Sequence, residues 1–250
     1  MNIGIIPARY GSKRLPGKPL AMIKGKTMIQ RVYEQALKCK LIDDLVVATD
    51  DASIFSHVID FGGKAIITSD NHHSGTDRCY EAACLLNVTN PDDIIINIQG
   101  DEPYINPEQI SELINCFKAG EAEIATLVKK IKDNEEIFNT SKPKVVINNK
   151  KEALYFSRSP LPYLRDVATG LWAEQHPYLK HIGLYGFRFE ALKKISSLSP
   201  SSLEIAEGLE QLRWLENGFI IQTEITQYES VSVDTLEDLE KLNNSSDDFL

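Results

Sequence analysis

The sequence predicts an α/β protein built on a doubly wound, mostly parallel sheet, and three observations carry that prediction. Short apolar, β-branched runs recur through the first half, at Ile3–Ile6, Leu45–Thr49, Ala65–Ile67 and Ile94–Ile98, each the size of a buried strand. Stretches with apolar residues at helical spacing separate them, an alternation that packs helices onto a parallel sheet. Polar residues fall just past the strand ends, at Arg9, Asp50, Ser74-Gly75-Thr76 and Gln99-Gly100-Asp101, where sheets of this kind hold their ligands.

The first strand, read as ending at Pro7, runs into a loop rich in glycine and cations. Arg9, Lys13, Arg14 and Lys18 place four positive charges within ten residues. Gly11 and Gly17 let the backbone approach a ligand and point N–H groups at it, which suits a polyphosphate. The loop is not a P-loop: five residues separate Gly11 from Gly17, and Pro19 follows Lys18 where a hydroxyl residue would hold a metal. G-x-G-x-x-G is also missing.

Next, Met28, Ile29, Val32, Tyr33, Ala36 and Leu37 share one helical face, and Ile54, Val58 and Ile59 mark a second helix. The residues after Asp77 predict a third, carrying Cys79, Ala83 and Leu86. Strands are expected at 124–131, 144–147 and 153–156, the last two forming a hairpin across Asn148-Asn149-Lys150. Residues 163–177 show little periodicity and read as a mobile flap. A strand at 182–189, a helix at 190–195, one helix over 203–213 with Leu209 and Leu212 inward, and strands at 219–225 and 231–233 follow, then a short closing helix. The expected division is a core over 1–122, an inserted mixed-strand subdomain over 123–190, a return to the core over 191–243 and a disordered tail over 244–250, with disorder expected from Asn243 onward.

At 250 residues the chain is long enough to bury a substantial core, and its net charge of −9 argues against nucleic acid or an anionic membrane as partner. A basic loop in an acidic protein points instead to a small anion. No signal peptide or membrane-spanning run is read, so a cytoplasmic protein is expected. Cys39, Cys79, Cys84 and Cys116 have neither disulfide nor zinc spacing and read as buried thiols.

Asp101 and Asp234, each just past a predicted strand, are hard oxygen donors suited to Mg²⁺. The competing reading is that each caps the next helix or turn, and it is strongest for Asp234, which precedes Thr235-Leu236-Glu237-Asp238. His72 and His73 read as loop residues, while His181 enters the strand that leads to Tyr185.

Taken together, the motifs Pro7-Ala8-Arg9-Tyr10-Gly11-Ser12, Leu15-Pro16-Gly17-Lys18-Pro19-Leu20, Ala48-Thr49-Asp50, Ser74-Gly75-Thr76-Asp77-Arg78, Gln99-Gly100-Asp101-Glu102-Pro103, Tyr155-Phe156-Ser157-Arg158, Leu209-Glu210-Gln211-Leu212-Arg213 and Val233-Asp234-Thr235 resemble the 3-deoxy-manno-octulosonate (Kdo) cytidylyltransferase family. The match runs in order through nearly the whole chain. The opening motif marks nucleotidyltransferases broadly, and the Phe-Ser-Arg and Leu-Glu-Gln-Leu-Arg blocks narrow it. Lys13 and Ile205-Ala206 depart from the family pattern.

The resemblance implies a Rossmann-like nucleotidyltransferase with a smaller mixed-sheet subdomain for dimerisation and sugar binding. It further implies a cytosolic homodimer that couples CTP and Kdo into CMP-Kdo and pyrophosphate, with Mg²⁺, for lipopolysaccharide synthesis. By that resemblance Arg9, Lys18, Asp101 and Asp234 are catalytic, with Asp101 and Asp234 on the metal. Ala8, Arg9, Gly11, Arg14, Lys18, Ala48, Thr49, Asp50, Ser74, Gly75, Arg78, Gln99 and Asp101 surround the nucleotide. Gln99, Arg158, His181, Tyr185, Glu210 and Gln211 surround the sugar. Two alternatives stay open: an acceptor that is 8-amino-Kdo or a sialic acid, and a non-catalytic nucleotide-sugar sensor. Lys18, Asp101 and Asp234, all present, speak against the sensor.

Overall fold

The computed structural model describes residues 1–11, 15–118, 122–229 and 231–245. Its first half runs β1 (Asn2–Ala8), a 3-10 turn (Lys18–Leu20), a ribbon of β2 (Met22–Ile23) and β3 (Lys26–Thr27), α1 (Met28–Ala36), β4 (Asp44–Thr49), α2 (Ala52–Asp60), β5 (Ala65–Ile67), α3 (Gly75–Leu85), β6 (Ile94–Asn97) and α4 (Pro107–Asn115). Its second half runs β7 (Ile124–Lys130), α5 (Asn134–Phe138), β8 (Lys144–Ile147), β9 (Ala153–Ser157), α6 (Trp172–Gln175), β10 (Leu179–Arg188), α7 (Phe189–Ile195), α8 (Ser202–Glu207), α9 (Gln211–Glu216), β11 (Ile221–Ile225) and α10 (Leu236–Asn244).

Nine of these strands form one sheet in the order β11-β7-β10-β6-β1-β4-β5, with the β8–β9 hairpin attached to β10. β1 lies parallel to β4 and β6, and β4 to β5, whereas β10 runs antiparallel to β6 and β7. From β1 the chain builds outward first through β4 and β5 and then, on the opposite side, through β6. That reversal opens a crevice beyond the carboxyl ends of β1 and β6. Strands from within 123–190, β7 and β10, belong to the same sheet as the first half, so the inserted segment continues it, with the hairpin alone off the path.

Alternation along β1 sorts its side chains to the two faces. Ile3 and Ile5 pack with Cys79, Ala82 and Ala83 of α3, while Ile6 and Ala8 pack with Ile29, Val32, Tyr33 and Ala36 of α1. β1 runs through Pro7 rather than stopping there. Ile5 O accepts from Ile98 N on the β6 side, and pairing with β6 ends at Ile5. Odd-numbered residues of β1 face that side, so the N–H that proline lacks falls where the ladder has already ended.

Several sequence expectations are corrected. The single helix over 203–213 is two, because Gly208 adopts φ 62° and closes α8 before α9 begins. Residues 231–233 form no strand; Val233 N instead donates to Asp101 O at 2.9 Å. The 163–177 stretch contains α6, whose Trp172 is buried with Ile131, Ile137 and Tyr178, so it is anchored by an aromatic plug. α4 and α5 went unread, although Asn106 and Gln109 form a capping box around Pro107 and Asp133 caps α5. Leu37 and Ile59 are exposed, and so is Cys84, whereas Cys39 and Cys79 are buried. Asn243 and Asn244 are helical rather than disordered, because Asn243 hydrogen-bonds Lys24 N and Met22 O on the ribbon. Ser245 closes the helix, its N–H donating to Lys241 O at 2.9 Å, and residues 246–250 lie outside the described residues.

Candidate active site

The crevice is a cavity of about 270 Å³ assembled from five segments. The end of β1 brings Pro7, Ala8 and Arg9, and the 3-10 turn brings Lys18 and Pro19. The loop into α3 supplies His72, His73, Ser74 and Gly75, with Arg78 one turn on. Gln99, Gly100 and Asp101 come from the end of β6, and Asp234 arrives from the far end of the chain. Gly100 is required at its place: a Cβ there would sit 2.9 Å from Pro7 O.

Lys18 Nζ lies 2.7 Å from Asp101 and 3.0 Å from Asp234, with only 12% of its side chain exposed. The Val233–Asp101 backbone bond holds the two acidic segments side by side. Asp234 is not the cap of α10. Thr235 takes that role, accepting from Asp238 N, while Asp238 reaches back to Thr235 N. The Asp234 carboxylate therefore faces Lys18 and the cavity.

On the opposite wall α3 presents its N-terminus, where a helix favours negative charge. Ser74 is its N-cap and accepts from Asp77 N at 3.1 Å. Arg78 is buried, held by Asp50 at 2.8 Å and Thr68 Oγ1 at 2.6 Å. Asp50 thus reaches the cavity wall only by way of Arg78, and none of Ala48, Thr49 and Asp50 lines the cavity itself. Gly11 also lies off the lining, and Arg14 falls outside the described residues. His72 and His73, read from sequence as plain loop residues, do line it. His72 is held by Glu81, which also accepts from Ser69 N. The available signal was their position directly before the Ser74 cap.

The residues expected around a sugar are arranged differently. Only Gln99 lines the cavity, and the β10 bulge lies beside it: a Cβ added at Gly183 would sit 3.7 Å from Gln99 Cγ. Arg158 donates to the carbonyls of Glu207 (2.7 Å), Thr140 (3.0 Å) and Gly208 (3.2 Å), fastening the break between α8 and α9. His181 packs against Phe156 and Tyr185 with Nε2 3.1 Å from Thr126 Oγ1, and burial pulls its imidazole down to about 3. Burial, with the Glu210 charge nearby, pushes the Tyr185 phenol well up. Glu210 accepts from Thr76 Oγ1 at 2.9 Å, and burial raises its carboxyl above the ordinary range. The Tyr185 hydroxyl is enclosed beside Thr126, and Gln211 Nε2 is enclosed with no hydrogen-bond partner among the described residues.

A cation set between two carboxylates, facing a helix N-terminus across a crevice at a strand-order reversal, defines a nucleotide-handling α/β protein. Residues 3–231 match the cytidylyltransferase family. Proteins named 3-deoxy-manno-octulosonate cytidylyltransferase from Parabacteroides distasonis (52% identity, 96% of this chain, 95% of that one) and Cytophaga hutchinsonii (51%, 98% and 97%) align along almost their full length. A solved structure of CMP:2-keto-3-deoxy-manno-octonic acid synthetase complexed with CTP superposes with a TM-score of 0.88 at 44% identity, covering 97% of this chain and 96% of that one. A cytidylyltransferase from Leptospira borgpetersenii, 20% identical over 97% of this chain and 84% of that one, shares the fold with a TM-score of 0.61. The chain belongs to the 3-deoxy-manno-octulosonate cytidylyltransferase family.

Proposed function

We infer that the chain transfers CMP from CTP to Kdo: a sugar hydroxyl attacks the α-phosphorus, the bond to the β,γ-diphosphate breaks, and CMP-Kdo and pyrophosphate result, for lipopolysaccharide synthesis. The observation that carries this reading is Lys18 between Asp101 and Asp234 on the cavity wall. Arg9, Lys18 and, from the sequence, Arg14 hold the triphosphate and offset the charge that grows on the departing pyrophosphate. The first turn of α3 with Ser74, Gly75 and Arg78 takes the rest of the nucleotide.

The donor set fits Mg²⁺. Among the described residues no group of three or more His, Cys, Asp or Glu is placed to hold a metal, and Mg²⁺ commonly takes one or two carboxylates and completes its shell with water and substrate phosphate. Asp101 and Asp234 are those carboxylates. Bound there, Mg²⁺ supplies neutralisation of phosphate charge and acidification of the attacking hydroxyl.

Sugar recognition is assigned to Gln99, Arg158, His181, Tyr185, Glu210 and Gln211. Enclosed polar groups without partners are costly, and Gln211 Nε2, unbonded among the described residues, matches a polyhydroxylated ligand. Of the five N–H groups of its guanidinium, Arg158 spends three on carbonyls and keeps two for a carboxylate. The 123–190 segment is assigned to the sugar side and to a homodimer contact. The working compartment is assigned to the cytoplasm; among the described residues no helix is long and apolar enough to cross a membrane.

Pyrophosphate release, measured with CTP or UTP against a panel of 2-keto sugar acids, tests the reading. CTP with Kdo should support turnover, and UTP should be slower by on the order of a hundredfold or more. Faster release with 8-amino-Kdo or a sialic acid would move the acceptor. CTP binding without release for any acid would make the chain a sensor.

A further inference from the structure

Glu210 is the second residue past the Gly208 break, and its carboxylate crosses to α3, where the Thr76 hydroxyl donates to Oε2 at 2.9 Å. Thr76 is 3% exposed, so the donor end of this bond is buried. The same helix carries Ser74 and Arg78 on the cavity wall. One short bond thus joins residues 134 positions apart in sequence, one in the helix that forms the nucleotide wall and one in the block assigned to the sugar.

We propose that Thr76 is a positioning residue that joins the two halves of the site, its hydroxyl fixing the Glu210 carboxylate so that the sugar side is registered to the helix that holds the nucleotide. The proposal rests on the reading of Glu210 as a sugar-side residue. Glu210 is faced by Asp77 and Cys79 of α3, Arg213 of α9 and Tyr185 of β10. Burial and Asp77 favour its neutral form, while Arg213 and the hydroxyls of Thr76 and Ser74 favour the carboxylate. Loss of the Thr76 donor therefore makes the carboxylate both less oriented and easier to protonate.

Thr76→Val keeps the branched shape and removes the hydroxyl. In the intact protein the KM for Kdo should rise about tenfold, and the acid limb of kcat/KM for Kdo should move up by about one pH unit, while the Kd for CTP stays within about twofold. Thr76→Ser, which restores a hydroxyl, should return both quantities toward wild type. An unmoved acid limb, or equal losses in the Val and Ser variants, overturns the proposal. If the Val variant does not fold, Thr76→Ala against Thr76→Ser gives the same contrast. Glu210→Gln separates the layers: a wild-type KM for Kdo there removes the sugar-side reading itself, whereas a raised KM beside a wild-type Thr76→Val removes the positioning role alone.

Discussion

The nucleotide wall and the assigned sugar wall of this protein are built on different principles. The nucleotide wall consists of short segments, most of them placed at the cavity by the end of a strand or the start of a helix, and its charged groups pair at the cavity edge, Lys18 with Asp101 and Asp234 and Arg78 with Asp50. The assigned sugar wall consists of half-buried side chains from the end of β9, from β10 and from the start of α9 that are engaged with protein: Arg158 with three carbonyls, His181 with Thr126, Glu210 with Thr76. Backbone geometry presets the first wall, whereas the second depends on side-chain bonds that a ligand must join or displace. Substitutions on the first wall should therefore act on ligand binding with little effect on folding, and those on the second should disturb both.

The sharpest way to break this contrast is Lys18→Ala. It removes the cation between Asp101 and Asp234, and with it a charge-assisted contact to phosphate of about 1.5–3 kcal/mol, equivalent to about a 10- to 100-fold rise in the KM for CTP. The unfolding midpoint should move little, because both carboxylates remain about a third exposed to water. Near-normal turnover at low CTP would dissolve the contrast.

A smaller effect is expected at His181. Its imidazole titrates at about 3, below the ordinary 6.5, because burial disfavours the charged ring. Between those values the unfolded chain binds a proton that the folded one does not, so the stability contributed by the neutral ring is complete above the ordinary value and is lost as the pH falls toward the lower one. The ring signals of His181, identified by subtraction with His181→Gln, should stay flat by NMR from about pH 5 to 8, and the variant should show a shallower loss of stability on acidification. Titration near the ordinary value would mean that this wall is wet and open.

The same contrast explains what was legible in the sequence. Ile3–Ile6, Leu45–Thr49 and Ile94–Ile98 announce buried parallel strands, and strand ends in such a sheet point at the crevice, so the place of Arg9, Ser74, Gln99 and Asp101 on the cavity lining is readable from position alone, that of Arg78 only from the family resemblance. Lys18 was readable from charge. Asp50 is placed near the crevice by position, but nothing local shows that it bonds Arg78 twenty-eight residues later and stays off the cavity lining. Pro7 as a strand residue was hidden because its tolerance depends on where β6 stops pairing. The break at Gly208 was visible as a glycine but was outweighed by the leucine spacing around it. The orientation of Arg158 toward carbonyls is long-range and left no mark in its own neighbourhood.

The central claim is that Asp234 serves the reacting centre and not the helix that follows it, and a matched pair of substitutions tests it. Thr235 is the cap in the structure, so Thr235→Ala should lower the unfolding midpoint by the equivalent of about 1 kcal/mol with the Mg²⁺ requirement of pyrophosphate release unchanged. Asp234→Asn should leave the midpoint nearly unmoved and raise the Mg²⁺ concentration needed for half-maximal release by about tenfold or more. The opposite pattern, an Asn variant that turns over like wild type at limiting Mg²⁺ but melts early, would return Asp234 to the helix and leave Asp101 as the sole carboxylate of the centre.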